Sequence, residues 1–346
     1  MTFTVVRSTW RWVAAILMYS VVSGSQAVDV LLISSYHQTD ACGQPQYEAA
    51  LDALEQGGLS GLTTKAYFLD ARIRSREEML KTVGQIKQDM RGDRPKLVFT
   101  FDDTAFSLLY EEVLAQPETK MVFSGLNRDL SYYDGRAHFI EDRTPVANIT
   151  GIFEYLFMRE QLSILEAILD RPVNRVAVLY STDTVGQILK DQILDELKGT
   201  PYAQRIELFP AEDVPAMQRR AREINDDSDI DAYIPVTMSV PDPADGKRKT
   251  MDQLAPLLTN TIRKIDLALN SSFTEYGFFG GVSIDFYQMG FQSGYLATRL
   301  LKGGAIEGAQ VENARRSIIA INRHRMGELG ISLGPEIRSI VDKWVD

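Results

Sequence analysis

Residues 96–124, KLVFTFDDTAFSLLYEEVLAQPETKMVFS, hold two short apolar runs with a helical stretch between them. Lys96–Phe101 (KLVFTF) and Lys120–Ser124 (KMVFS) are continuously apolar, the pattern of strands buried in a sheet that is covered on both faces. Thr104–Leu114 between them reads as a helix, with the acidic pair Asp102-Asp103 where its positive end would lie. Strand, helix and buried strand in about 30 residues make a parallel crossover unit.

The same alternation runs outward in both directions. Toward the N-terminus, Val28–Ser34 (VDVLLIS) reads as a buried strand, followed by a helix over about 45–56 that stops at Gly57-Gly58. Thr64–Leu69 is a second strand. A helix over 75–90 opens on Ser75 with Glu78 three places on, a capping box. Toward the C-terminus, the looser stretch 127–147 is the natural place to leave one domain. Strands are then expected at 149–155, 175–180, 205–209, 230–236, 265–269, 277–284 and 316–321. Helices separate most of them, and the one over 286–301 ends at Gly303-Gly304. Two such series imply an α/β chain of two similar doubly wound parallel-sheet domains.

The N-terminus bears a different signature. Arg7 and Arg11 precede the apolar run 13–22, and Ser25 and Ala27 form a small-residue cleavage pattern. Residues 1–27 are expected to be a cleaved signal peptide, which places the mature protein in the periplasm or otherwise outside the cytoplasm. The run is shorter than the roughly 20 residues that span a bilayer. A net charge of −10 argues against nucleic acid as a partner. One cysteine, Cys42, leaves no intrachain disulfide, and with three scattered histidines it makes no zinc motif. Neither dinucleotide-binding nor phosphate-loop glycine motifs occur, so no cofactor is expected.

In open parallel sheets, ligands bind beyond the carboxyl ends of the strands. The loops there offer Ser35 and Tyr36, then Asp102, Asp103 and Thr104, then Asn127. In the second half they offer Glu154, Tyr155, Ser181, Thr237, Asn270, Asp285 and Tyr287. Hydroxyls, amides, carboxylates and rings suit the orientation of a small polar molecule. Thr104 and Ser181 fit equally as caps of the helices after them, and Asp102-Asp103 as an acidic pair at a helix start. The insertion 241–249 reads as an exposed loop outside the site. Carboxylates alone could run glycoside hydrolysis, but no nucleophile elbow, triad order or metal spacing accompanies them, so no catalytic residue is assigned.

Three segments carry a family likeness. Gly277–Asp285 leads into Phe286-Tyr287-Gln288-Met289-Gly290-Phe291-Gln292-Ser293-Gly294 and a helix closing in Leu300-Leu301-Lys302-Gly303-Gly304. The tail runs from Ser317-Ile318-Ile319-Ala320-Ile321-Asn322 to Leu329-Gly330-Ile331, and Asn148-Ile149-Thr150-Gly151 stands at the expected crossover. In these the chain resembles the type-1 periplasmic binding proteins, and in particular the substrate-binding proteins of an uncharacterised ABC transport group, some of which bind aromatic amino acids.

The resemblance implies lobes of 28–148 plus 286–304 and of 149–285 plus 316–346, with crossings near Ile149, near Asp285 and within 305–315. It also implies two doubly wound parallel-sheet lobes with a hinge and an interlobe cleft, in a monomer that captures a small molecule there for an ABC permease, without catalysis. A sensory protein serving a membrane histidine kinase or cyclase, and a secreted carboxylate hydrolase, are the competing expectations. This chain differs from the family pattern at two places: Asp102-Asp103-Thr104-Ala105 replaces a T-P-A-type turn, and Glu154 an aspartate. Such acids would repel a ligand carboxylate and suit amino groups or many hydroxyls.

Overall fold

The computed structural model describes residues 27–236 and 239–346. The expected signal segment and Thr237 lie outside the described residues. The chain folds as two α/β lobes, each a twisted sheet with helices on both faces.

The first lobe starts as β1 (Val30–Ser34), α1 (Gly43–Gln56), β2 (Thr64–Phe68), α2 (Arg76–Asp93), β3 (Leu97–Phe101), α3 (Asp102–Leu114) and β4 (Lys120–Leu126). The Ser75 capping box forms as the sequence predicts, with Ser75 Oγ accepting from the Glu78 amide and Glu78 returning to the Ser75 amide. After a loose excursion the chain re-enters the same sheet as β5 (Ile149–Phe153), parallel to β4 from Met121↔Ile149 onward. This corrects the expected crossing near Ile149. The strand belongs to the first sheet because Asn148 anchors it there, its amide donating to the carbonyls of Val113, Gln116 and Thr119. The chain therefore leaves the lobe after Phe153.

The second lobe holds α4 (Met158–Leu169), β6 (Arg175–Ser181), α5 (Thr184–Leu197), β7 (Ile206–Ala211), α6 (Val214–Asp226) and β8 (Ile230–Pro235). Where an exposed loop is expected, a hairpin forms from β9 (Ser239–Asp242) and β10 (Lys247–Thr250). Then come α7 (Met251–Thr261), β11 (Ile265–Asp266) and β12 (Gly280–Ile284). At Asp285 the chain returns to the first lobe as α8 (Phe286–Leu301) and β13 (Glu312–Asn313). It crosses a third time at 314–316 to form β14 (Ser317–Asn322) and β15 (Lys343–Val345).

The first sheet is parallel throughout, in the order β13-β5-β4-β3-β1-β2. The second runs β11-β8-β6-β7, also parallel, and bridges at Leu267–Gly280 and Asn270–Ile284 join it to β12-β14-β15. Here β14 runs antiparallel to β12, Ile284 facing Ser317, because the third crossing delivers it beside the end of β12.

Burial follows the double winding. Leu31, Ile33, Val98 and Phe123 face α2 and α3, while Val30, Leu32, Phe99 and Val122 face α1 and α8. In the second sheet Ala177, Leu179 and Tyr233 face α6 and α7, and Val176, Val178 and Ile234 face α4 and α5. Helices α1 and α8 pack backbone to backbone. A side chain at Gly290 would come 2.3 Å from the Gln46 carbonyl, and one at Gly294 2.7 Å from that of Ala50.

Candidate functional site

The strand order selects the loops that can meet a ligand. In the first sheet β1 lies between β2 and β3, so the chain winds off in opposite directions on either side of β1 and opens a crevice between the loops after β1 and β3. In the second sheet β6 lies likewise between β7 and β8. These crevices meet in one cleft of about 510 Å3, lined by both lobes.

The first-lobe wall is built around α3. Asp102 sits at its start with φ +73°, a left-handed conformation that aspartate tolerates better than most residues. Its Oδ1 accepts from the Asp103 amide at 2.6 Å, and its Oδ2 from the Tyr36 phenol at 2.5 Å. Burial first, then the Asp103 charge, pushes the Asp102 carboxyl up to about 7. Asp103 is raised by burial too, but it points inward, accepting from the amides of Asn127 at 3.0 Å and Arg128 at 3.2 Å. Burial and the Asp102 charge raise Glu154 well above the usual carboxylate range. The guanidinium of Arg72, in the loop after β2, lies 4.1 Å from the Tyr36 ring centre and pairs with Asp40 at 2.6 Å.

The second-lobe wall is mostly apolar, with Val185, Leu189, Leu269 and Phe273 among its residues. Its charged pair is Arg248–Asp183, 2.8 Å apart at the lip. Asp183 also caps α5, accepting from the Gly186 amide at 3.0 Å. Among the described residues two hydrogen bonds cross between the lobes: the Asn270 amide donates to Cys42 Sγ at 2.9 Å and the Asn127 amide to Gln192 at 3.2 Å. Burial pushes the Cys42 thiol up to about 12, so it is a packed side chain in the wall.

Of the residues expected from sequence, Tyr36, Asp102, Asp103, Thr104, Asn127, Glu154 and Asn270 line this cleft. Five others lie elsewhere. Ser35 is fully buried beneath it, donating to the Phe101 carbonyl and accepting from the Ala105 amide. Ser181 is buried and donates to Asp183. Tyr155 lines a neighbouring recess with Arg159 and Gln192. Asp285 caps α8 through the Gln288 amide. Tyr287 lies on the outer surface, donating to Asp52 at 2.6 Å.

Sequence reasoning missed Arg72, Asp183 and Arg248. Arg72 and Asp183 stand at carboxyl ends of strands, which was signal enough. Arg248 could not be placed, because only the hairpin brings it back to the lip; the rest of 241–249 stays largely exposed, as expected. Among the described residues no group of side chains has the arrangement of a metal site, and no helix is long and apolar enough to cross a membrane.

Three solved structures resemble this fold closely. One is an ABC domain in complex with L-Trp from Streptococcus pneumonia, with 17% identity over 91% of this chain and 100% of that one, at a TM-score of 0.64. Another is a conserved domain protein from Vibrio cholerae, 15% identical over 92% and 99%, at 0.67. The third is a ligand-free, open structure of a substrate binding protein with adhesive properties from Clostridium difficile, 16% identical over 92% and 99%, also at 0.67. At such identities the likeness speaks to the fold, that of type-1 periplasmic binding proteins. No curated protein matches the sequence. The sequence does match the family described as ABC transporter substrate binding protein over residues 48–344, most of its length, and the chain belongs to that family.

Proposed function

We propose that this protein is an extracytoplasmic receptor that captures a small solute between its lobes and hands it to an ABC permease. One observation carries the reading. A cleft of about 510 Å3 lies where the switch points of both sheets meet, and it is lined by aromatic, apolar and short polar groups from both lobes. Tyr36, Arg72, Asp102, Thr104, Asn127, Glu154 and Asn270 are the proposed contacts.

The cleft is suited to binding rather than turnover. Its thiol and its tyrosine, the groups that could act as nucleophiles, are both raised by burial, the tyrosine also by Asp102. Export rests on the signal-like residues 1–27.

The test is a thermal-shift screen of the protein against amines, amino acids, nucleosides and sugars. A ligand at 100 times its dissociation constant should add about 2.7 kcal/mol of stability. Silence from every class would remove the main support for a solute receptor. Cell fractionation checks export, and reconstitution with the permease tests delivery.

A further inference from the structure

The charges in the cleft do not balance locally. Each guanidinium at its margin already has a carboxylate: Arg72 pairs with Asp40, Arg74 with Asp70 at 3.1 Å, and Arg248 with Asp183. The acids of the floor have no such partner. Asp102, Asp103 and Glu154 form no ion pair among the described residues, and the neutral Asn127 side chain, which lowers Glu154 by hydrogen bonding, is shared with Gln192. Glu154 is nine-tenths buried and still lines the cavity. A buried carboxylate without a cation is expensive, and it either holds a proton or waits for a positive charge.

A second observation weighs against an anionic ligand. The start of a helix in a binding crevice would ordinarily offer its amides to an anion. Here two of the α3 amides are consumed from within: that of Asp103 by the Asp102 side chain, and that of Ala105 by Ser35. A ligand carboxylate would find both of those donors taken and the carboxyl groups of Asp102 and Glu154 beside it. Across the cavity, Leu189, Leu269 and Phe273 offer an apolar surface.

Resting on the solute-receptor reading above, we propose that the solute is an organic cation. Its ammonium group seats between Asp102 and Glu154, with the Tyr36 phenol at its side, and its hydrocarbon part lies on the second-lobe wall. The cation replaces the protons that the ligand-free acids hold. Arg248 and Asp183 close the lip without facing the charged group directly.

Three probes of one skeleton test this by calorimetry on the whole protein: 2-phenylethylamine, L-phenylalanine and 3-phenylpropionate, with 1,4-diaminobutane added as a dication. One or both amines should bind at least ten times more tightly than the zwitterion and the acid. Glu154→Gln should weaken amine binding at least tenfold while the circular dichroism spectrum and melting temperature stay native. Asp102→Asn serves as the second variant. Equal or tighter binding of L-phenylalanine or 3-phenylpropionate overturns the cation, as does a sugar or nucleoside binding where no amine does. In those cases the solute-receptor reading stands. Calcium chloride matching the amine effect also overturns the proposal, since the acids would then be taking an inorganic ion. No binding by any probe or by the wider screen overturns both readings.

Discussion

The side-chain amide of Asn270 donates to the sulfur of Cys42 at 2.9 Å, joining two residues 228 positions apart that belong to opposite lobes. Asn270 is held for this by its own turn, its Oδ1 accepting from the Ser272 amide at 2.9 Å. A thiol sulfur is a weak acceptor, so the link is a light latch beside the hinge crossings at 154–157, Asp285 and 314–316. Asn270→Ala should shift ligand-free protein toward wider lobe separation, seen as a larger radius of gyration in small-angle scattering. A scattering curve identical to that of the parent protein would show that the latch holds nothing.

The raised Asp102 carboxyl makes the ligand-free protein sensitive to pH. Folding lifts it from an ordinary value of about 3.9 to about 7. A carboxyl raised in this way contributes stability that is complete below about pH 4 and is lost as pH climbs through about 7. Denaturant unfolding should therefore show the ligand-free protein less stable at about pH 8 than at about pH 5.5. Asp102→Asn removes the titrating group, keeps one acceptor oxygen for the Asp103 amide, can donate to the Tyr36 oxygen and suits the left-handed backbone, so it should flatten this slope and add about 1–3 kcal/mol near pH 8. An unaltered slope in the variant would assign the pH dependence to other groups.

Cation binding should carry the opposite pH dependence. The acids must ionise to meet an ammonium group, so amine affinity should rise from about pH 6 to about pH 8, with protons released on binding. Calorimetry of 2-phenylethylamine in buffers of different ionisation enthalpy reads that release directly. Identical heats in phosphate and Tris would mean that the acids are already charged in the ligand-free cleft.

How far the sequence foretells this molecule depends on how local each feature is. The Ser75–Glu78 capping box needs only four residues, and it forms as read. The strand–helix alternation is equally local, because each buried strand states its own covering on both faces. Strand order is not local. Ile149–Phe153 reads as the start of a new lobe until its register with β4 shows it completing the old one. The site divides in the same way. Tyr36 and Asp102 stand at strand ends and could be named from sequence. Arg72 acts through a long side chain folded over Tyr36, and Arg248 through a hairpin whose return no periodicity announces. Ser35, a plausible ligand contact from sequence, serves instead to cap α3, which only the adjacency of β1 and β3 reveals.

A buried ion pair in the second lobe makes the last prediction. Arg325 is 1% exposed, and it donates to Asp266 at 2.9 Å and to the carbonyls of Thr259 and Ile262, the end of α7. Asp266 is fully buried, and even with this partner burial holds its carboxyl up at about 6. Arg325→Met keeps much of the side-chain volume but strands the carboxylate and frees two helix-end carbonyls. It should cost about 3–5 kcal/mol near pH 8, because one partner of a buried pair has been removed. The loss should shrink toward pH 5, where Asp266 can take a proton instead. Replacing both, Arg325→Met with Asp266→Asn, should recover part of the stability, since no charge is then left alone. Urea unfolding of the parent protein and the two variants at the two pH values decides it: if the single and double variants unfold at the same concentration, the stranded carboxylate is not the source of the cost.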